Sequence, residues 1–108
     1  MAKFLVLYHA PTPAREMMAS ATPEEMQEGM DAWMGWAKQN EGAIVDLGAP
    51  LGDSTSVGSG GGGDVTGYSV VEADSKDAAA ALFDDHPHLH MQSGAWIELL
   101  EFMPLPGT

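Results

Sequence analysis

Apolar residues gather along the chain in four short runs and two helical stripes. Phe4-Leu5-Val6-Leu7-Tyr8 is continuous and aromatic-rich, which predicts a strand ending near His9. Side chains alternate across a strand, so Phe4, Val6 and Tyr8 point one way, Leu5 and Leu7 the other. Both sides therefore need cover. Ala10-Pro11-Thr12-Pro13 breaks the run, and the stretch to Ala21 reads as a loop. Thr22-Pro23-Glu24-Glu25 then starts a helix, with Thr22 as cap, Pro23 at the first helical position and Glu25 completing a capping box. The helix is predicted to reach Gln39 or Asn40, with Gly42 as its stop. Met26, Met30, Trp33 and Ala37, with Trp36 alongside, form the stripe expected to lie on a sheet.

Ala43 to Leu47 reads as the second strand, and Pro50 to Val57 as its bent continuation along a sheet edge, where proline is tolerated. The run Gly58-Ser59-Gly60-Gly61-Gly62-Gly63 is followed by the strand-like Asp64 to Val71 and not by a helix. It reads as a flexible hairpin tip, since a phosphate-cradling loop needs a helix directly after the glycines. A second helix starts near Asp74 or Ser75 and passes four alanines to Asp84-Asp85, acids that oppose the helix dipole and predict fraying. Pro87 halts it, so His86-Pro87-His88-Leu89-His90 reads as a loop. The last strand is expected from Ala95 to Met103, and Pro104-Leu105-Pro106-Gly107 closes the chain.

The order β-α-β-β-α-β is the split pattern of ferredoxin-like folds, an α+β class with an antiparallel sheet, here one domain over residues 1–108. Two helices cover one sheet face only. The first strand is apolar on both sides, and the last offers Ile97 and Leu99 to one side but Trp96, Leu100 and Phe102 to the other. An apolar face of that extent calls for a second layer, and another copy of the chain is the simplest supplier. The expectation is a homodimer whose sheets pack face to face as a dimeric α+β barrel. The alternative is a monomer roofed by its own loops, 10–21 and 48–63.

Charge narrows the partners. Sixteen acids stand against Lys3, Arg15, Lys38 and Lys76, a formal charge of −12 that repels phosphate backbones and anionic membranes. Nucleic acid and membrane are therefore excluded as expected partners. No cysteine is present, which removes thiolate chemistry. The N-terminal apolar run is too short for a signal or spanning segment, so a cytoplasmic protein is expected.

Several stretches together resemble the YCII-related family, in particular its DGPF-type members. They are Lys3-Phe4-Leu5-Val6-Leu7-Tyr8, Thr22-Pro23-Glu24-Glu25-Met26, Trp33, Val45-Asp46-Leu47-Gly48-Ala49-Pro50-Leu51, Val65 to Ala73, and Asp85-His86-Pro87-His88-Leu89 leading to Ile97-Glu98-Leu99. The resemblance covers nearly the whole chain and implies a ferredoxin-like protomer, a dimeric barrel and an Asp/His pair in a cleft. Asp46 matches the family's carboxylate. Residues 22–41 contain no counterpart of its first-helix histidine, and glycines stand in place of the DGPF tetrapeptide.

Three chemistries follow. Asp46, a carboxylate inside an apolar strand, must be solvated, paired or protonated. With His86 or His88, or with His9, it forms the candidate acid–base pair of a cofactor-independent enzyme. The competing reading of Asp46 is a side chain that binds N–H groups of the neighbouring turn. A second possibility is a metal at His86, His88 and His90, helped by Asp84, Asp85 or Glu101. No metal or cofactor is required by the leading reading. The third is a non-enzymatic small-molecule site lined by Tyr8, His9, Trp33 and Trp36, with Arg15 as anchor for a carboxylate ligand.

Overall fold

In a computed structural model, residues 1–106 are described, and the closing Gly107 of the sequence reading lies outside them. Strand β1 (Ala2–His9) leads to helices α1 (Ala14–Ser20) and α2 (Pro23–Gln39). Strands β2 (Ile44–Pro50) and β3 (Val65–Ala73), helix α3 (Lys76–Ala81), a 3-10 turn (Pro87–His90) and strand β4 (Trp96–Glu101) follow. The four strands pair in the order β2-β3-β1-β4, each pair antiparallel. This is the ferredoxin-like α+β arrangement expected from the element order.

Local chemistry fixes the elements. Thr22 and Glu25 bond reciprocally, Glu25 N–H to the Thr22 hydroxyl at 3.1 Å and Thr22 N–H to the Glu25 carboxylate at 2.9 Å. These bonds stabilise the start of α2 and hold the Glu25 carboxyl below its usual range. Ser75 caps α3 through the Ala78 N–H at 3.1 Å. That helix stops at Ala81, short of the acids that oppose its dipole. Helix α1 departs from the predicted loop: Pro13 precedes it, and Ala14 to Ser20 favours helix once the prolines are passed. The strand-like continuation past Pro50 also fails, since residues 51–64 carry no regular structure. The histidine loop is tightened into the 3-10 turn by Pro87 at its first position.

Phe4, Val6 and Tyr8 of β1 and Val71 of β3 are buried under Trp36, Ala37, Ala79 and Phe83, with Ile97 and Leu99 packed alongside. The methionines of α2 depart from the expected core stripe. Met26, Met30 and Met34 stay about half exposed, while Trp33, Trp36 and Ala37 turn inward. Two large indoles with a small alanine already fill the space above the strands.

The other face is open. The shortest extent of the molecule is 20 Å, the thickness of one helix layer on one sheet. Trp96, Leu100 and Phe102 are 46%, 43% and 51% exposed, so the chain's own loops do not roof them. No helix among the described residues is long and apolar enough to cross a membrane.

Candidate functional site

Strand alternation divides the chemistry-bearing residues between the two faces. Tyr8 points under the helices, where its ring meets Trp33 edge-on at 4.9 Å and stacks with His86 at 5.2 Å. Its hydroxyl bonds Ser69 at 2.8 Å, and the Ser69 hydroxyl donates to the Leu47 carbonyl at 2.6 Å. Burial pushes the Tyr8 phenol up to about 12 despite that bond. These rings fill the core against each other.

His86 is fully buried among Tyr8, Trp33, Trp36 and Phe83. Its Nδ1 accepts the His88 N–H at 3.0 Å, so the neutral ring carries its proton on Nε2. Nε2 has no hydrogen-bond partner among the described residues. Burial, and to a lesser degree the neighbouring His88, lowers His86 to about 3. His88 is also buried and lowered by desolvation, and its Nε2–H donates to the His9 carbonyl at 2.8 Å. His86 thus holds His88, and His88 holds the backbone of His9.

His9 is the next residue of β1, at a register shift between Tyr8 and His9, and its ring lies on the open face. Nδ1 meets the Asp64 carboxylate at 2.5 Å and Nε2 meets Glu98 at 2.8 Å. Trp96 stacks on the ring at 4.0 Å between centroids and 11° between planes. Burial opposes charge on His9, but the bonds and fields of Asp64 and Glu98 outweigh it and raise the imidazole above its ordinary value. The same contact holds Asp64 below the usual carboxylate range.

Asp46 is exposed on the open face, opposite Val70 of β3. Its Oδ1 accepts the Gly48 N–H at 2.9 Å and its Oδ2 accepts the Tyr68 hydroxyl at 3.2 Å. That contact raises the Tyr68 phenol. Gly48 has φ +83°, and a Cβ there would sit 1.7 Å from the Tyr68 carbonyl oxygen, so only glycine allows this bulge. Asp46 thus supports the turn it precedes, the competing reading of the sequence.

The expected juxtaposition of Asp46 with His86 or His88 is not formed, because the sheet separates them. Asp46 and His9 do share a face, but Val70 lies opposite Leu5, four residues from His9 along β1. Strand spacing then puts them roughly 17 Å apart. The histidine run does not converge on a metal either: His90 bonds Asp85 at 2.9 Å on the surface, away from the two buried rings. Arg15 is mostly exposed and pairs with Asp53 at 3.6 Å. Sequence reasoning passed over Glu98, Asp64 and Trp96. Glu98 carried the signal used for Asp46, a lone carboxylate in an apolar strand.

Two shallow grooves lie on the helix layer, one beside Trp36, Asn40, Leu82 and Pro87, the other beside Glu25, Gly29, His90 and Met91. Neither includes His9 or Asp46. Fold and site together define a ferredoxin-like α+β protein with a titratable histidine on an uncovered sheet face.

Among solved structures the chain is similar to 5-chloro-2-hydroxyhydroquinone dehydrochlorinase from Burkholderia phenoliruptrix, in complex with 2,5-dihydroxybenzoquinone. The TM-score is 0.50 at 14% identity, over 91% of each chain, a likeness of fold. No protein-family model matches the sequence, and no curated protein matches it.

Proposed function

We propose that this chain is a YCII-related domain that works as a homodimeric, cofactor-independent acid–base enzyme on a small organic molecule. The reading rests above all on His9, held 2.8 Å from Glu98 at the rim of the open face's apolar centre. An imidazolium beside a carboxylate can deliver a proton to one atom of a substrate while the carboxylate removes one from another. Asp64 orients the ring from its other nitrogen, and the half-exposed Trp96 offers a surface for a planar molecule. His86 and His88 act as positioning residues that fix the His9 backbone from below. Asp46 with Tyr68 adds a polar group to the same face. The solved structure of similar fold is a dehydrochlorinase, which supports the capacity of this fold to house an enzyme.

The second copy answers the open face. Leu5, Leu7, Val70 and Leu100 form an apolar centre that the exposed Trp96 and Phe102 extend, and contiguous exposed apolar patches mark partners. Sedimentation at micromolar concentration should give a dimer, and Leu7→Arg should give a folded monomer. A monomeric parent removes this part of the proposal. For the chemistry, deuterium incorporation from D2O into a panel of carbonyl and hydroxy-aromatic compounds reads proton transfer directly. His9→Gln and Glu98→Gln should each lower a rate found for the parent by about 100-fold or more. Full rates in both variants would show that the pair is not catalytic.

Binding without turnover is the second reading, favoured by the fact that both ring nitrogens of His9 are already engaged. Thermal shifts with compounds that show no exchange would support it.

A further inference from the structure

His9 is where four segments of the chain meet. Its ring joins Asp64, which closes the 51–64 connection, to Glu98 of β4, and its carbonyl receives the His88 ring from the 3-10 turn. The Ala10 N–H completes the junction by donating to the Asp64 carbonyl at 2.9 Å. The 51–64 connection itself has no regular structure and is exposed throughout, glycines included. At its start Leu51 N–H bonds the Thr66 carbonyl at 3.0 Å, and Asp53 makes an exposed contact with Arg15 at 3.6 Å. The Asp64 side chain is thus the one charged group at the far end of the segment that grips the sheet.

Only the protonated ring can donate from both nitrogens at once. A neutral imidazole must turn a lone pair towards one of its two carboxylates, leaving acceptor against acceptor in a part-buried position. We propose that protonated His9 is a pH-released latch that holds the Asp64 side chain beside Trp96 and so tethers the adjoining exposed Gly60–Gly63 segment, and that loss of its proton frees that end of the segment. The groups facing the ring are Asp64 from the connection, Glu98 and the stacked Trp96 from β4, and His88 through the carbonyl. The two carboxylates favour the charge, while burial and the neighbouring histidine oppose it. The carboxylates prevail, so the latch stays closed past the ordinary histidine value and opens as the pH rises through the raised one. This holds whether or not His9 and Glu98 turn over a substrate. If they do, the same titration gates access to them.

NMR of the labelled full chain across the pH range tests the latch without any substrate. The His9 ring signals should titrate with a midpoint above the ordinary histidine value. Amide signals of Gly60 to Gly63 and Asp64 should shift with the same midpoint, and their heteronuclear NOE should fall above it. Asp64→Asn should release the glycines at every pH, and Glu98→Gln should lower the His9 midpoint by about one unit. A His9 midpoint at or below the ordinary value, or glycine signals indifferent to it, overturns the proposal. The parent protein alone reads both, so an unstable variant does not leave the question open.

Discussion

A histidine lies against each face of the sheet, one from β1 and one from the 3-10 turn, and the two rings are shifted in opposite directions. His86, under the helices, is surrounded by aromatic rings with no carboxylate in contact, and burial keeps it neutral. His9, on the uncovered face, also has little exposed surface, yet two carboxylates raise its imidazole above the ordinary value. Loss of accessible surface alone therefore does not set a histidine's charge. What decides is whether the groups that replace water can stabilise a proton. The apolar residues of the two faces differ in the same way. Phe4 is 1% exposed within a closed core, and Leu100 is 43% exposed on a surface that has no second layer in one chain.

The largest effect should come from the closed face. Phe4→Ala should cost about 3–5 kcal/mol in urea unfolding, a large share of a small domain's stability. Leu100→Ala should cost less than about 1 kcal/mol in the protomer while weakening self-association. Equal losses of protomer stability would abolish the contrast between the faces.

The two histidines should next reveal themselves by the sign of their pH dependence. His86 has a folded value of about 3, below that of the unfolded chain, so the unfolded state binds the proton first. Its contribution is complete above the ordinary histidine value and is lost as the pH falls towards 3. The full shift corresponds to roughly 5 kcal/mol. His86→Phe, which keeps an aromatic ring and removes the proton, should flatten the fall in stability between about pH 6 and pH 4. An unchanged acid slope would mean that other groups cause it. His9 has the reverse sign. Its folded value is raised, so its contribution is present below the ordinary value and fades as the pH rises through the folded one. His9→Gln should therefore be less stable than the parent below the ordinary histidine value and converge on it in alkali.

The smallest effect should be at Arg15, whose pairing with Asp53 is long and exposed. Arg15→Gln should change stability by less than about 0.5 kcal/mol. A loss well above 1 kcal/mol in the same melts would show that α1 and the 51–64 connection are coupled more tightly than one surface ion pair allows.

Local and periodic signals carried the fold. Alternation in β1, the Thr22/Glu25 capping box and the Ser75 cap depend on residues a few positions apart, so the helices and strands they define could be read from the chain. The open apolar face was legible as well, because counting helices against strand faces needs no coordinates. Helix α1 was missed because two prolines masked a short run of good helix formers. The methionines of α2 were misplaced because periodicity finds a stripe but does not say which of two adjacent stripes the sheet has room for.

The site divides along the same line. Sequence singled out His9, Asp46 and the His86–His88 turn as chemically pointed, and each makes specific polar contacts. It did not show that a sheet stands between Asp46 and His86, or that Asp64 and Glu98, 55 and 89 positions from His9, close on the same ring. Residue type and spacing determine which groups are costly to bury. Which partner relieves that cost depends on strand register and on the face towards which each side chain turns, and only the folded chain supplies both.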